Sequence, residues 1–157
     1  MKKRSGTRTT RGEPPEPTFF TDRDLGKGIP HTLRENGLKV ESHFEHFPDR
    51  PDLTDIDLFD FLGKKGWVLI SRDKKQRYIT DERDAMMRSG VKCFYLVGEH
   101  PFHDLAVAFV EAVLIVRALI ARHDDAFVAR VYKPAAGNPQ RVRLVLTTAR
   151  WLKGFRG

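Results

Sequence analysis

The sequence predicts an α/β fold, a three-layer α/β/α sandwich on a mainly parallel sheet, with extra strands at its C-terminal end. Strand-like and helix-like segments alternate four times between Thr18 and Asp125, which is the order of parallel sheets covered by helices on both faces. The runs WVLIS and VKCFYLV are almost continuously apolar, which is typical of central parallel strands. A chain of 157 residues can bury such a core as one domain.

Short apolar runs and helical patterns define the elements in order. TFFT predicts the first strand, and LGKGIPHTLRENG predicts a helix that Gly37 can end. LKVESH predicts a second strand, FEHFPDRPD a loop, and LTDIDLFDFLGKKG an amphipathic helix that leads into WVLIS. DERDAMMRSG predicts a short helix, VKCFYLV a buried strand, and PFHDLAVAFVEAVLIVRALIARHDD one long helix. AFVARVYKP and RVRLVLT predict two last strands.

The charge distribution separates the chain into three parts. Residues 1–12 carry a formal charge of +5, residues 13–116 carry −5 and residues 117–157 carry +7. We expect a disordered basic and Pro-rich arm over 1–17, a single domain over 18–150 and a basic tail over 151–157. The acidic body suggests clustered carboxylates, and the basic ends suggest a polyanionic partner such as nucleic acid, although basic tails that only maintain solubility explain them as well.

The sequence indicates a cytoplasmic protein without a membrane partner. The single Cys93 excludes a disulfide framework and suits a reducing compartment. The longest apolar segment, residues 105–120, contains Glu111 and Arg117 and is too short and too polar to span a bilayer. The charged N-terminal residues lack the apolar core of a secretory signal.

Three separate segments send a carboxylate toward the carboxyl edge of the predicted sheet, where ligands of α/β proteins collect. Asp22 follows the first strand, Asp73 follows WVLIS, and Asp55 and Asp57 open the helix before that strand. Each has an ordinary explanation as a turn residue or, after Thr54, as an acid that favours a helix N-terminus. Their convergence, however, favours a divalent cation, because crowded carboxylates repel one another and Mg²⁺ binds two or three of them together with waters.

Three stretches carry a resemblance to a known family: FFTDRDLGKGIPHTLRENGLKV, DLTDIDLFDFLGKKGWVLISRDKK and GVKCFYL. They resemble the PIN-like nucleases, in particular PIN-like proteins of the VapC-type toxin and Mut7-C-related groups, over about half the chain. The resemblance implies an α/β/α sandwich and a Mg²⁺- or Mn²⁺-dependent nuclease site. It implies that Asp22, Asp55 and Asp73 are the catalytic and metal-binding residues. Asp55 fits better than Asp57, because the family's acid lies 18 residues before the Asp of the S-R-D motif. The fourth acid of the family remains open among Asp81, Glu82 and Asp84.

The function that the resemblance implies is an endoribonuclease that hydrolyses RNA phosphodiester bonds. The toxin of a toxin–antitoxin pair, with an antitoxin protein as partner, is one role, and an RNA- or DNA-processing housekeeping nuclease is another. A non-catalytic PIN-fold module that binds nucleic acid or protein is the alternative outside enzymes. The sequence does not distinguish single-stranded from structured RNA as the substrate. It also leaves the oligomeric state open, and a homodimer is one alternative.

Further polar residues are candidates for supporting roles near this edge. Asp24, Asp57 and Ser71 are candidates to orient a ligand or a metal-bound water. The candidates to hold the RNA backbone are Lys74, Lys75, Arg77, Arg130, Lys133, Arg141 and Arg143. Strand alternation predicts that the last four share one face, although a solvated charge run or a protein-docking edge explains them too. The histidines of the H-x-x-H pattern, His43 and His46, are predicted to lie at the surface or in a loop rather than to bind a metal.

Overall fold

The computed structural model describes residues 15–50, 52–72 and 80–156. The strands are β1 (Thr18–Thr21), β2 (Lys39–Ser42), β3 (Val68–Arg72), β4 (Lys92–Val97), β5 (Phe127–Tyr132) and β6 (Val142–Thr147). The helices are α1 (Gly28–Glu35), α2 (His43–His46), α3 (Asp55–Lys65), α4 (Thr80–Arg88), α5 (Phe102–Glu111), α6 (Val113–Arg122) and α7 (Thr148–Arg156), with a 3₁₀ turn at Arg23–Leu25. In these ranges, no helix combines the length and the apolar composition that crossing a bilayer requires.

The six strands form one sheet in the order β2-β1-β3-β4-β5-β6. All neighbouring pairs from β2 to β5 are parallel, and β6 pairs antiparallel with β5 at the edge. The predicted α/β/α sandwich with a mainly parallel sheet is therefore confirmed. The extra C-terminal strands divide into one that extends the parallel sheet and one that closes it in the opposite direction.

Alternate side chains of each strand enter two hydrophobic cores, one on each face of the sheet. Phe19 faces the core under α1, α5 and α6, where its ring meets the ring of Phe109 edge-on with centroids 5.3 Å apart. Phe20, the next residue, faces the core under α3 and α4, where it packs with Leu62 and Met86. Because both phenylalanines are fully buried, β1 is anchored from both sides, as the period of two in strands requires.

The helix α3 places its first residue at the carboxyl edge of the sheet. Thr54 caps the helix by accepting a hydrogen bond from the Asp57 N–H at 3.1 Å, and Gly66 ends it in the left-handed conformation with φ 71°. The 11 residues of α3 span about 16 Å, and the five residues of β3 span about the same length in the opposite direction. Asp55 therefore lies at the level of the last residues of β3.

Four segments differ from the sequence-based expectations. The predicted loop FEHFPDRPD begins within the short helix α2. The predicted long helix is two helices, α5 and α6, with Ala112 between them at φ −93° and ψ 2°, just before a β-branched run that lowers helix propensity. The predicted basic tail is the helix α7, because Trp151 packs on the second core and donates a hydrogen bond from Nε1 to Asp84 at 2.8 Å. At the other end, Glu16 of the predicted arm pairs with Arg117 at 2.6 Å, whereas residues 1–14 lie outside the described residues.

Gly63 keeps α3 in close contact with the segment that follows α4. A Cβ atom at this position would overlap the backbone carbonyl oxygen of Ser89, whereas a Cβ atom at Gly28 in α1 meets nothing within 4 Å. We expect Gly63→Ala to lower the free energy of unfolding by about 1–3 kcal/mol, although alanine is the better helix former. Gly28→Ala is the matched control and should stay within about 1 kcal/mol of the wild type in urea denaturation. Equal stabilities of the two variants would contradict the contact.

Candidate metal and nucleic-acid site

Two carboxylates meet at the hydroxyl group of Ser71. Asp22 directly follows β1, and its N–H donates to the carbonyl oxygen of Ile70 at 3.0 Å, which extends the pairing with β3 by one residue. Ser71 Oγ donates to Asp22 Oδ2 at 3.1 Å and lies 3.5 Å from Asp24 Oδ2. The Asp22 carboxylate also caps the 3₁₀ turn by accepting a hydrogen bond from the Arg23 N–H at 2.7 Å. The turn thus places Asp24 on the same hydroxyl as Asp22.

The chemistry of this group fits a hard divalent cation. Asp22 and Asp24 are half-buried, and Ser71 is almost fully buried with 2% of its surface exposed. A hydroxyl has one hydrogen to donate, so it cannot satisfy both carboxylates at the same time. Carboxylate and hydroxyl oxygens are the ligands of Mg²⁺ and Mn²⁺, and the half-exposed position leaves room for the waters that Mg²⁺ retains. Asp24, expected only to orient a ligand or a metal-bound water, thus lies beside the same hydroxyl as Asp22, although slightly farther from it.

The other predicted ligands are placed differently. Asp55 is half-buried at the start of α3, and Asp57 is exposed in the same first turn, where the Thr54 cap explains both positions. Asp73 lies outside the described residues, and so do Lys74, Lys75 and Arg77. Within the described ranges, no three His, Cys, Asp or Glu side chains lie together as a metal site. The described part of the site is therefore the pair of Asp22 and Asp24 with Ser71.

The helix α4 distinguishes among the acids that could supply a fourth carboxylate. Asp84 accepts the hydrogen bond from Trp151 Nε1 and so holds α7 in place. Asp81 and Glu82 lie in the first turn of α4. Since α4 runs back along the sheet toward the start of β4, its first turn lies nearest the carboxyl edge. Asp81 and Glu82 are therefore better placed than Asp84 to face the site.

His43 is the residue near the site that the sequence did not predict. Thr21 pairs with Ser42 across β1 and β2, so Asp22 and His43 follow at the ends of neighbouring strands. His43 is 4% exposed, and its Nδ1 has no hydrogen-bond partner in the part of the chain that the structure describes. Burial lowers the pKa of the imidazole, and the nearby Asp22 carboxylate opposes this shift. A neutral imidazole beside a carboxylate pair can accept a hydrogen bond or bind a metal.

The helix α2 holds His43 through a capping box and an ion pair. Glu45 N–H donates to Ser42 Oγ at 3.2 Å, and Ser42 N–H donates to the Glu45 carboxylate at 3.1 Å. The Arg34 guanidinium of α1 binds the same carboxylate at 2.8 Å and also donates to the Val40 carbonyl oxygen at 3.0 Å. The hydrogen bond from Arg34 lowers the pKa of Glu45 to about 2. The S-x-x-E pattern was the available sequence indication of a helix start at this position.

The four C-terminal cations do not share one face, contrary to the prediction from alternation. Lys133 follows β5 and pairs with Asp104 at 3.1 Å, and Arg141 precedes β6 and pairs with Glu111 at 3.3 Å. Both acids belong to α5, which covers the first core. The prediction was wrong for Lys133 because it is three positions from Arg130, and a period of two places such residues on opposite faces. It was wrong for Arg141 because this residue lies before β6, where alternation no longer fixes direction. Arg130 and Arg143 are opposite each other on β5 and β6.

The class of the protein is an α/β protein with a mainly parallel sheet and an acidic site at the carboxyl edge. Its family follows from the sequence comparisons. The profile of the family described as "PIN like domain" matches residues 17–98, slightly more than half of the chain. The chain belongs to this family. Nucleases are common among PIN-like domains, so membership indicates a function related to nucleic acids. No curated protein and no solved structure matches the chain significantly.

The hydroxyl of Ser71 should stabilise the two carboxylates in the metal-free protein. Ser71→Ala removes a buried donor to a charged acceptor and should lower the free energy of unfolding by about 1.5–3 kcal/mol in urea denaturation with a chelator present. Thr21→Val is the matched control, because the buried Thr21 Oγ1 has no hydrogen-bond partner among the described residues. This control should be neutral or stabilising. An equal loss in both variants would contradict the role of Ser71.

The ion pair of Arg34 with Glu45 should make stability depend on acidic pH. Folding lowers the Glu45 pKa from 4.5 to about 2, so its contribution is fully present above pH 4.5 and is lost as the pH falls toward 2. Both side chains are more than one-third exposed, so the contribution is about 1 kcal/mol or less and decreases with added salt. Urea denaturation across this range should show a steeper loss for the wild type than for Glu45→Gln. Parallel profiles would contradict the pairing.

Proposed function

We propose that the protein is a metal-dependent endoribonuclease that hydrolyses phosphodiester bonds of RNA. The observation that supports this most strongly is the convergence of Asp22 and Asp24 on the Ser71 hydroxyl at the carboxyl edge of the sheet of a PIN-like domain. Asp22, Asp55 and Asp73 are the proposed metal ligands. Asp24, which lies beside Asp22 in the described part of the site, is proposed as an additional ligand. Mg²⁺ or Mn²⁺ is the proposed ion, because the donors are oxygens.

Asp22, Ser71 and His43 have distinct roles in this proposal. The bound ion would supply an activated water nucleophile and neutralise charge on the reacting phosphate. Asp22, held by the Arg23 N–H and by Ser71, keeps its carboxylate directed to one position at the end of β1. Ser71 lies between the carboxylates of Asp22 and Asp24 and can donate its single hydrogen to one of them at a time. The buried His43 excludes water from the side of β2 and keeps its ring beside Asp22.

The cellular role that we propose is a cytoplasmic nuclease. A toxin of the VapC type, neutralised by an antitoxin protein, and a housekeeping nuclease for RNA or DNA processing use the same site. They differ in substrate and partner. The charge of +7 on residues 117–157 supports a polyanionic substrate in both roles. The single buried Cys93 suits a reducing compartment.

A non-catalytic module that binds nucleic acid or protein is the second candidate function. It is favoured by one observation, that the described residues bring together two acidic side chains rather than three or more. Such a module would keep the fold and the basic surface and would bind RNA without cutting it. Cleavage assays separate the two functions directly.

Replacement of one carboxylate by an amide tests the nuclease proposal. Asp22→Asn keeps the shape of the side chain and removes its charge, so metal-dependent cleavage of a labelled single-stranded RNA should fall by about 10² or more. Asp73→Asn should have the same effect. The measurement is the initial rate of cleavage with Mg²⁺, with Mn²⁺ and with a chelator, and thermal unfolding verifies the fold of each variant.

Asp124→Asn is the matched control, because Asp124 is exposed before β5, at the opposite end of the sheet. All proteins are purified by one protocol, so that a contaminating nuclease would give equal rates in every preparation. A wild type that cleaves with neither metal would overturn the nuclease proposal and favour the binding module. Full activity of Asp22→Asn would show that the acidic site is elsewhere.

A further inference from the structure

Four residues on four neighbouring strands lie in one row across the sheet, and Asp22, just after the end of the next strand, continues it. Ser71 pairs with Tyr95, Tyr95 pairs with Arg130, and Arg130 pairs with Arg143. On the other side of Ser71, Asp22 occupies the position after Thr21, which pairs with Ile70. The row therefore begins at the candidate metal site and ends at two arginines on β5 and β6.

The residues of this row also share one face of the sheet. Leu69, Cys93 and Val128 are two positions before Ser71, Tyr95 and Arg130, and all three belong to the core under α3 and α4. Because strand side chains alternate, residues two positions apart point to the same face. On this face, toward the carboxyl edge, the core is followed by Ser71, by Tyr95, which still packs partly against the core, and by Arg130.

Arg143, at the end of the row, differs from Lys133 and Arg141. Lys133 and Arg141 form ion pairs with acids of α5, so their charge serves to hold that helix. Arg143 is exposed and makes no hydrogen bond or ion pair with a described residue. Arg130 is half-buried directly opposite it. Two guanidinium groups at opposed positions concentrate positive charge at one place on the sheet.

We propose that the row is the binding track for single-stranded RNA, with Arg143 and Arg130 holding phosphates a few nucleotides away from the bond that is cleaved. Strands lie about 4.8 Å apart, so Arg143 is about 14 Å from Ser71, the length of about four stacked nucleotides at about 3.4 Å each. Tyr95 lies under the nucleotides between the two ends. The track rests on the proposed function for its substrate class, and it adds the direction in which the RNA crosses the strands. Guanidinium groups bind phosphate oxygens in a bidentate manner, which suits this position.

The salt dependence of RNA binding tests the track. The dissociation constant of a fluorescein-labelled single-stranded RNA is measured by anisotropy at a series of KCl concentrations, with EDTA present to prevent cleavage. Loss of one phosphate contact should raise the dissociation constant of Arg143→Gln about 3- to 10-fold at low salt. It should also make the log–log slope shallower by about 0.7. Arg143→Glu should weaken binding further.

Arg122→Gln is the matched control, because Arg122 is exposed on α6, which packs on the opposite face. It removes the same charge and should leave the slope unchanged. Equal slopes for wild type and Arg143→Gln would overturn the track, as would an equal change in Arg122→Gln. Because the assay excludes metal, a protein that never cleaves RNA can still give the slope change that supports the track. An active nuclease whose slope is unchanged by Arg143→Gln would overturn the track and leave the nuclease proposal intact. Thermal unfolding verifies that each variant is folded.

Discussion

The pairing of β1 with β3 at their carboxyl ends determines the position of the candidate site. The Asp22 N–H donates to the Ile70 carbonyl oxygen at 3.0 Å, and Ser71 Oγ donates to the Asp22 carboxylate at 3.1 Å. The first bond extends the parallel ladder by one residue, and the second joins the last buried hydroxyl of β3 to the side chain of that residue. The carboxylate cannot rotate away from this position without losing the hydrogen bond from Ser71. Its negative charge is therefore fixed in place before any ligand binds.

The cores on both sides of the sheet provide the stability that this concentration of negative charge opposes. Two unit charges about 4 Å apart near a protein surface repel each other by about 1–4 kcal/mol. Phe19 and Phe20, the two residues at the centre of β1, are fully buried on opposite faces, and each contributes about 1.5–3 kcal/mol through burial. Burial of these two side chains is comparable in size to the repulsion and opposes it. The carboxylate pair of Asp22 and Asp24 can thus be retained at the edge for its chemistry.

Local pattern predicts the fold well and the surroundings of the site less well. The alternation of apolar strands and amphipathic helices predicts the sheet, because each segment must bury one face or both. The helix over residues 148–156 depends on the contacts of Trp151 with distant segments, which periodicity does not contain, and the break at Ala112 interrupts an apolar pattern that continues on both sides of it. The burial of His43 was missed for the same reason: it depends on how α2 packs against β1. For Lys133, the decisive contact is an acid on a helix that precedes it by about thirty residues.

Charged side chains have different roles on the two faces of the sheet. On the face of α5, ion pairs neutralise Lys133 and Arg141 and fasten the helix to the sheet, so these cations contribute to structure. On the other face, acidic side chains lie at the end of β1 and cations at the far edge strand, separated by the width of the sheet. An acid pair attracts a cation and a guanidinium pair attracts an anion, so a polyanion with a bound metal ion is oriented by both ends at once. In the proposed arrangement the register of the strands, rather than a flexible loop, would set the distance between a metal ion at the acidic pair and the phosphates at the arginines.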